Sequence, residues 1–547
     1  MIRMPLIILA VLWLCWLIPT HIPPWWMIHT ELPAFAASAL CALSCMRWNA
    51  SVIRIPNAII WLVALLGTVI LQRLLGQIVF AGDAWVAAAY IILFASAWLW
   101  GYRWTKQSGL SSVLIAIAYF LLAIGLITSF QIFAQWLKIE TAFDSWILPH
   151  IDGGAPRGNI GQPNQAATTV MLAVVAIGLL YARKSISLFI ASALGLLFVP
   201  GVLLTQSRTP LVSGVVLMVV LICSQAKTKS SRRLAIAVIF LCLVGMLGIY
   251  LWSVNRTSIS TAGLVLVEPR ILIWQQLAAA IWAHPWAGWG WLQVASAQQF
   301  GAIQFPGTVP VNYSHNIILD ALVMLGVPIA SMGFFTGFLW IKARWTRLSQ
   351  STDAIWAGVL TIPFWIHSLL ELPHAYAYFL FPVAILFGAI DAGTEGKTTH
   401  VLSLPFRWFA CLSIIWIALI LAMGHEYLEI EEDFRVSRFE SRGIGLSNSH
   451  HKKQDVLFFT QLEELALAAQ IQIASKMKVD EIEALKRVAI RYTSSPLELR
   501  AAMALDLNGR PDEATERMQV IKNLFAADIY LDARKELSAF QKIKDIQ

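Results

Sequence analysis

The chain has 547 residues, of which 58% are hydrophobic and only 13% are charged, and it contains 24 tryptophans. A soluble globular protein carries about 25% charged residues, so this composition excludes that class and indicates a polytopic membrane protein. The formal net charge of +8 does not indicate nucleic-acid binding, because no Lys/Arg-rich face interleaved with aromatic residues occurs in the sequence. In a membrane protein the basic residues mainly report the orientation of the loops.

Stretches of about 20 apolar residues predict roughly thirteen transmembrane helices. The first follows a basic residue but has no small-residue cleavage site after it, which favours a retained helix over a signal peptide. The predicted spans are 4–20, 33–46, 58–72, 84–101, 109–130, 164–182, 185–206, 209–225, 234–252, 317–341, 355–372, 376–391 and 405–424.

The charges of the loops predict how these helices are oriented. With the N-terminus inside, about sixteen Lys and Arg residues fall on the inner side and six on the outer side before residue 425. This asymmetry agrees with the positive-inside rule. The two long polar loops, 131–163 and 253–316, then face outward, as does the C-terminal tail. We therefore expect a bacterial inner-membrane protein whose active site and C-terminal domain are periplasmic.

The composition changes at about residue 425, beyond which the chain is charged, amphipathic and without a spanning segment. Ser495–Glu498 combines an N-cap, a proline at the first helical position and a capping-box glutamate. Gly509 ends one predicted helix and Pro511 starts the next, so the tail is expected to form about five short helices, with a tetratricopeptide-like hairpin near 497–526. The predicted fold class is an all-α polytopic membrane protein with a soluble helical domain. The predicted domains are a transmembrane core, 1–424, and a periplasmic helical domain, 425–547.

No set of side chains in the sequence indicates a metal site. Cys41 and Cys45 lie one helical turn apart in an apolar run, where cysteines usually pack as small hydrophobic residues. His367 and Glu371 have i, i+4 spacing on one helix face, but two ligands are too few to hold a zinc ion. A hydrogen-bonded structural pair is the alternative for these two residues. We expect no metal and no cofactor.

Arg208 and Arg270 are two of the six basic residues on the predicted outer side, against the charge bias. Arg208 belongs to the polar segment Thr205–Thr209, and Arg270 follows Glu268 and Pro269 at the start of an amphipathic segment. Guanidinium groups match phosphate oxygens bidentately, so both could bind the diphosphate of a lipid-linked substrate. The alternative is that each contacts lipid headgroups or pairs with a carboxylate such as Glu268.

Three more polar clusters fall on the same side. Arg157–Gln165 offers amides for sugar hydroxyls, or forms a capped loop. His367–His374 ends a predicted span, and Tyr313–Asn316 places an imidazole and an amide at the boundary between water and membrane. Ionisable groups at such depth are either structural anchors or functional groups. Because all these clusters share one side, we expect one outward-facing site.

Several segments together resemble the O-antigen ligase superfamily. Two of them, Gly158–Asn164 and His367–Pro373, resemble specifically its bacterial protein O-oligosaccharyltransferase branch. The likeness covers about residues 155–390. Gln165 stands where many relatives carry His, and Pro210 where a small residue often follows the Arg-Thr pair. The segments that carry the resemblance are Gly158–Asn164, Gln206–Thr209, His284–Gly290 (similar to the loop motif HP-x-x-G-x-G), Tyr313–Asn316 and His367–Pro373.

The resemblance implies transfer of a preassembled glycan from undecaprenyl diphosphate to an acceptor hydroxyl in the periplasm. A diphosphate is already a good leaving group, so Arg208 and Arg270 could stabilise its charge without a metal ion. The weakly nucleophilic hydroxyl needs a base, a role we assign to His315, with direct attack and inversion at the anomeric carbon. Glu371 is expected to orient an imidazole or the acceptor. The expected glycan or acceptor contacts are Asn159, Gln162, Asn164, Gln206, Tyr313, Asn316 and His367.

Three functions remain as alternatives. The first is transfer to Ser or Thr of an exported protein, with a type IV pilin as a plausible acceptor because its membrane helix would deliver it to this face. The second is an O-antigen ligase or polymerase that uses a lipid A-core or glycan acceptor. A transporter or flippase would need charged residues and broken helices near the bilayer midplane, whereas the charged residues here lie at one face.

Overall fold

The computed structural model describes residues 3–46, 51–223, 240, 244–245, 247–248, 268–307, 309–394, 401–440 and 456–544. In this part of the chain the structure is almost entirely helical, with short 3-10 turns at Leu14–Trp16, Glu140–Trp146 and Pro373–Ala375. The α-helices, numbered in chain order, are α1 Arg3–Trp13, α2 Ile28–Met46, α3 Ala58–Leu74, α4 Ala81–Ser108, α5 Leu110–Leu137, α6 Pro163–Ala182, α7 Leu188–Leu204, α8 Thr209–Cys223, α9 Glu268–Ala283, α10 Val294–Gly301, α11 Ile317–Gln350, α12 Thr352–Val359, α13 Ile362–Leu370, α14 Ala377–Gly393, α15 Phe406–Glu440, α16 Thr460–Gln470, α17 Val479–Arg491, α18 Ser495–Leu507, α19 Pro511–Leu524 and α20 Ala527–Lys544.

Seven helices of the described chain are long and apolar enough to cross a membrane, so this is an integral membrane protein. The predicted span 234–252 lies almost wholly outside the described residues, and the number thirteen stays a prediction. The seven are Ile28–Met46, Ala81–Ser108, Leu110–Leu137, Pro163–Ala182, Ile317–Gln350, Thr352–Leu370 and Phe406–Phe439. Shorter apolar helices are Met4–Trp16, Ala58–Leu74, Leu188–Leu204, Thr209–Val220 and Ala377–Gly393.

A small antiparallel sheet is an exception to the predicted all-α fold class, with which the rest of the described chain agrees. Strand β1 (Val52–Pro56) pairs with β2 (Val401–Pro405), with Val52 opposite Pro405 and Pro56 opposite Val401. Each strand is a five-residue run of mainly aliphatic residues that ends at a proline. A search for runs of about 20 apolar residues passes over such short segments, so neither strand was predicted.

The chain forms two compact units. Unit 1 comprises Met1–Val63, Tyr90–Ile259 and Gly337–Ala422, and unit 2 comprises Ala64–Ala89, Ser260–Thr336 and Met423–Gln547. The tail therefore belongs to one unit with two segments from earlier in the chain. This division differs from the predicted boundary between 1–424 and 425–547, which stays a prediction about independent domains.

Unit 1 is built on close packing of α5 against α6. Gly125 of α5 leaves room for Ala173, whose side chain a Cβ at Gly125 would overlap. Trp16 is buried beside the same two helices, and its indole N–H donates to Thr169 Oγ1 (3.1 Å). These contacts fix the position of the first turns of α6, which carry the polar residues of the site.

In unit 2, α11 is interrupted at Gly326, and the segment His284–Gly290 fills the break. Gly326 adopts φ 76°, which leaves the carbonyls before it without helical partners. The N–H groups of Trp289 and Gly290 donate to the carbonyls of Val323 (2.8 Å) and Met324 (3.2 Å). A Cβ on Gly288 would lie 2.5 Å from the Gly326 nitrogen, so this approach requires glycine.

The described part of the tail contains the helices α16–α20, and α18 and α19 form a hairpin whose apolar faces share one cluster. Gly509, with φ 81°, lies between these two helices, and Pro511 begins α19, as predicted. The predicted capping box is wrong. The N-cap is Ser494, without a side-chain cap, and the Glu498 carboxylate bonds to Gln299 in α10 instead.

Candidate active site

The predicted site residues fall into two groups, one in each compact unit. In unit 1, three of the predicted clusters meet at the side chain of Asn164. Its amide nitrogen donates to Glu371 Oε1 (3.0 Å), and its amide oxygen accepts a hydrogen bond from Ser207 Oγ (2.6 Å). Asn164 lies in the first turn of α6, Ser207 in the turn before α8, and Glu371 at the end of α13. The predicted convergence of these segments is therefore present within unit 1.

Glu371 and His367 both bond to α6. Glu371 is 3% exposed, and a carboxylate so buried requires hydrogen-bond donors such as the Asn164 amide. His367 is fully buried one turn earlier, where Nδ1 hydrogen-bonds to Thr168 Oγ1 (2.9 Å). His367 thus contributes to packing of α13 against α6, and its glycan contact stays a prediction.

The turn Thr205–Arg208 is tightly folded. Thr205 Oγ1 donates to Val202 O (2.6 Å) and accepts from the Ser207 N–H (3.3 Å). Gln206 has φ 54°, a left-handed conformation that costs energy for a residue other than glycine and that clusters at functional sites. The side chains of Gln206 and Arg208 are exposed, as binding residues must be.

The loop before α6 is held by two glutamines of α5. Gln135 Oε1 accepts from the N–H groups of Arg157 (2.8 Å) and Gly158 (2.9 Å), and Gln131 Oε1 accepts from Asn159 N–H (3.0 Å). Gln131 and Gln135 are polar residues with i, i+4 spacing in an otherwise apolar helix, a pattern that would have identified them from sequence.

Asn159 is a structural anchor of this loop. Its side-chain nitrogen donates to the carbonyls of Leu17 (2.8 Å) and Trp146 (2.9 Å), and its oxygen accepts from the Leu148 N–H (2.9 Å). The residue is fully buried, so these backbone groups take up its hydrogen-bonding capacity. Asn159 thus has a role in loop structure, and its glycan contact stays a prediction.

His21 supports the same loop from the other side. Burial lowers the pKa of its imidazole, and Nε2 lies 2.6 Å from Asn159 O, which only accepts hydrogen bonds. Gly161 adopts φ 80°, and a Cβ there would lie 2.9 Å from His21 Cε1. Gln162, the half-buried N-cap of α6, follows this glycine. The position of the loop therefore determines where the side-chain amide of Gln162 lies.

Gln165 links α6 to the segment that follows Glu371. Its Oε1 accepts a hydrogen bond from Tyr378 OH (2.7 Å). The Tyr376 phenol also hydrogen-bonds with the Gln165 side chain.

In unit 2, His315 lies in a turn clamped on both sides. Ser314 N–H donates to Asp320 Oδ1 (2.6 Å), and Ser314 Oγ donates to Asn316 O (2.8 Å). Asn316 Oδ1 accepts from the N–H groups of Ile318 (2.9 Å) and Leu319 (3.1 Å), so Asn316 caps α11. Between them His315 adopts φ 60°, and its imidazole is half-buried.

Arg270 and the His315 turn are connected through α9. Trp274, one turn after Arg270, donates from Nε1 to Ser314 O (2.9 Å). Arg270 and Tyr313 are both half-buried. Unit 2 therefore brings together a guanidinium group, a phenol and an imidazole from segments about 45 residues apart.

The described residues contain no group of three His, Cys, Asp or Glu side chains placed to hold a metal ion. The expectation that transfer is metal-independent stays a prediction. Within unit 1 the side chains that meet are the Asn164 amide, the Ser207 hydroxyl and the Glu371 carboxylate, which suit the binding of sugar hydroxyls.

Comparison with known proteins agrees with this chemistry. A family model described as O-Antigen ligase matches residues 193–332, and one described as Virulence factor membrane-bound polymerase, C-terminal, matches residues 355–537. The chain is 25% identical over 545 residues to the General O-oligosaccharyltransferase of Acinetobacter baylyi, covering 96% of this chain and 93% of that protein. It is 25% identical over 412 residues to the ComP-specific O-oligosaccharyltransferase of the same organism, covering 74% of each chain.

The chain is a glycosyltransferase, and it is similar to the O-antigen ligase superfamily. The predicted resemblance to the O-oligosaccharyltransferase branch is thereby confirmed. The two family matches include the Gln206–Thr209, Tyr313–Asn316 and His367–Pro373 segments, and the second extends through most of the described tail of this glycosyltransferase.

Proposed function

We propose that this glycosyltransferase moves a preassembled oligosaccharide en bloc from undecaprenyl diphosphate to a Ser or Thr hydroxyl of an exported protein such as a type IV pilin. The reaction takes place on the periplasmic face of the bacterial inner membrane. The observation that carries this proposal is the likeness to an O-oligosaccharyltransferase over 96% of the chain, tail included. The meeting of the clusters at Asn164 supports a common role for the unit 1 residues.

His315 is the proposed general base. A neutral imidazole can accept the proton of the attacking hydroxyl. The hydroxyl oxygen bonds to the anomeric carbon, and the carbon–oxygen bond to the diphosphate breaks, with its electron pair leaving on the diphosphate. Attack opposite the leaving group inverts the anomeric centre. The clamps by Ser314 and Asn316 hold the imidazole in a fixed orientation.

The arginines are proposed to bind the diphosphate and stabilise the charge that grows on it. Arg208 is exposed in a strained turn whose neighbour Ser207 bonds to Asn164. Arg270 begins α9, which contacts the His315 turn through Trp274. Preorganised cations stabilise a leaving group without reorganisation, so no metal ion is needed.

The buried Glu371–Asn164 pair is proposed to orient the acceptor or the first sugar through the α6 and α8 turns. Gln162, Gln206, Tyr313 and Asn316 remain the proposed contacts to the glycan or acceptor. Each has an exposed or half-buried side chain.

The decisive experiment is transfer by purified protein in lipid nanodiscs, with an undecaprenyl-diphosphate oligosaccharide and a pilin-like acceptor, followed by intact mass. His315→Ala should lower the transfer rate by about 10³-fold, because general base catalysis contributes about 10²–10⁴-fold. The matched control is His425→Ala in the same unit, whose side chain is 76% exposed. Full transfer by His315→Ala would remove the base assignment.

EDTA should leave the rate unchanged, and a loss reversed by added Mg²⁺ or Zn²⁺ would overturn the metal-free mechanism.

The family matches to a ligase and a polymerase favour a second candidate, transfer of the same donor to a lipid A-core or glycan acceptor. Offering both acceptors in one assay distinguishes the two. Product only on the lipid or glycan would replace the protein-acceptor proposal. Any product formed in detergent, where no membrane separates two compartments, excludes a transporter or flippase as the sole function.

A further inference from the structure

The tail is joined to the earlier part of unit 2 by a buried ion pair. Asp83, in the first turn of α4, is 1% exposed and accepts from Arg491 Nε (2.8 Å) and Nη2 (2.9 Å). Gln293, just before α10, also donates to Asp83 (3.1 Å). Burial alone would lower the pKa of Arg491, but the Asp83 carboxylate raises it, so the guanidinium is charged. The Arg491 guanidinium also interacts electrostatically with Tyr313.

A second contact runs from the tail to α10. Gln299 donates from Nε2 to Thr493 Oγ1 (2.7 Å) and Glu498 Oε1 (3.1 Å), and its Oε1 accepts from Arg517 Nη1 (3.0 Å). Glu498 is fully buried, and Arg517 lies 3.5 Å from its carboxylate. The tail therefore binds α10 through groups that water does not reach, in addition to the apolar contact of Ala302 with α19.

The other side of α10 holds the segment 309–316, which carries His315 and is called the motif segment below. Gln298, the neighbour of Gln299, accepts from the Val311 N–H (2.8 Å) and donates to Val309 O (2.9 Å). It also donates to Gln276 in α9 (3.0 Å), the helix whose Trp274 bonds to Ser314 O. Adjacent residues of α10 thus contact the tail and the motif segment.

We propose that the tail is a positioning element of the transferase, and that Arg491, through Asp83 and α10, holds the motif segment in the conformation that presents His315. This proposal rests on the role proposed above for His315. It gives the tail a part in catalysis that is separate from recognition of an acceptor. Arg491 and Asp83 are positioning residues, since they act through the motif segment.

The same helix offers a matched control. Arg487 lies one turn before Arg491 and makes a bidentate pair with Glu464 (2.9 and 3.2 Å), which is wholly inside the tail. Arg487→Gln therefore removes a bidentate ion pair, more exposed than Arg491–Asp83, without touching the connection to α4 or α10. Any general weakening of the tail affects both variants, whereas loss of positioning affects only Arg491→Gln.

The test is hydrogen–deuterium exchange of full-length protein in nanodiscs, read at peptides covering 309–320. Arg491→Gln should speed exchange there by about tenfold or more, because it leaves Asp83 buried without its ion-pair partner. Arg487→Gln should leave 309–320 within about twofold of wild type and act at 460–470 instead. Gln298→Leu, which cuts the link on the other side of α10, should match Arg491→Gln at 309–320.

Kinetics supply the second measurement. Arg491→Gln should lower kcat by about tenfold with the KM for the lipid-linked donor unchanged, since positioning of a base affects the chemical step. Adding Asp83→Asn to Arg491→Gln should raise kcat again by about fivefold. The two side-chain amides at positions 83 and 491 can hydrogen-bond to each other, whereas a buried carboxylate without its arginine is destabilising. Unchanged exchange at 309–320 in Arg491→Gln, or an equal change in Arg487→Gln, would overturn the proposal. The exchange measurement needs no transfer, so failure of the His315 assignment would be seen separately.

Discussion

Replacing Asn164 by aspartate tests the centre of the unit 1 cluster with a change of almost no volume. The substitution puts a second carboxylate where an amide now donates to Glu371 at 3.0 Å. At an effective dielectric constant of about 20, two negative charges at that separation repel by about 5 kcal/mol. The N-terminus of α6 favours a negative charge by only about 0.3–1 kcal/mol, so repulsion wins.

We expect Asn164→Asp to lower the transfer rate at pH 8 by about 10³-fold, equivalent to about 4 kcal/mol, which is the repulsion less the contribution of the helix N-terminus. Asn164→Ala removes a hydrogen bond to a buried carboxylate, worth about 1.5–3 kcal/mol, and should lose about tenfold. Two adjacent carboxylates raise the pKa of one of them, so one carboxyl of Asn164→Asp gains a proton as the pH falls. Because a protonated carboxyl can donate to the other, the rate relative to wild type should rise between pH 8 and pH 6.

The assay is transfer in nanodiscs at several pH values, with donor binding measured separately. Asn57→Asp is the matched control, since Asn57 immediately precedes α3 in the same unit and a carboxylate is tolerated before a helix. Wild-type activity of Asn164→Asp at pH 8 would refute the coupling between Asn164 and Glu371. A loss that is independent of pH would show that shape, and not charge, accounts for the effect.

Arg208→Lys and Arg270→Lys keep the charge but lose the bidentate fork, so donor affinity should fall about tenfold in a binding assay. Wild-type affinity in both variants would mean that these arginines only orient the protein in the membrane or contact lipid headgroups. Gly161→Ala should lower thermal stability and transfer together, since its Cβ would meet the His21 ring at 2.9 Å and its φ of 80° disfavours alanine. Burial raises the pKa of Glu498 to about 7. The tail contact is therefore most stable at low pH, where Glu498 is neutral. We expect the stability of this contact to fall as the pH rises from 5 to 8, measured as faster hydrogen–deuterium exchange in α18. Glu498→Gln should abolish that pH dependence, and its persistence would contradict the assignment.

The fold class followed from sequence because hydropathy alone identifies long apolar helices. Most described helices that can cross a membrane coincide with predicted spans. The strands 52–56 and 401–405 were missed because two five-residue runs become a sheet only when the chain brings them together. The capping box at Ser495–Glu498 was a local pattern overridden by tertiary structure, because the Glu498 carboxylate bonds to Gln299, 199 residues away.

For the site, residue type indicated the chemistry but not whether a group was already satisfied. Asn159 and Asn164 carry the same side-chain amide and lie five residues apart in sequence. Nothing local distinguishes Asn159, the buried anchor, from Asn164, which links Ser207 to Glu371. Arg491 lies on an amphipathic tail helix, where a charged residue usually faces water. Its partner Asp83 is 408 residues away, so no spacing in the sequence could have indicated that pair.

Arg208 and Arg270 lie where an arginine opposes the stability of its own helix. Arg208 immediately precedes α8 and Arg270 is the third residue of α9, so both are at the positive end of a helix dipole. A cation there costs about 0.3–1 kcal/mol, whereas an anion is stabilised by the same field and by the free N–H groups. Gln206 adds the cost of a left-handed residue beside Arg208. A diphosphate bound at these positions, as proposed above, would offset the unfavourable local choices at both arginines.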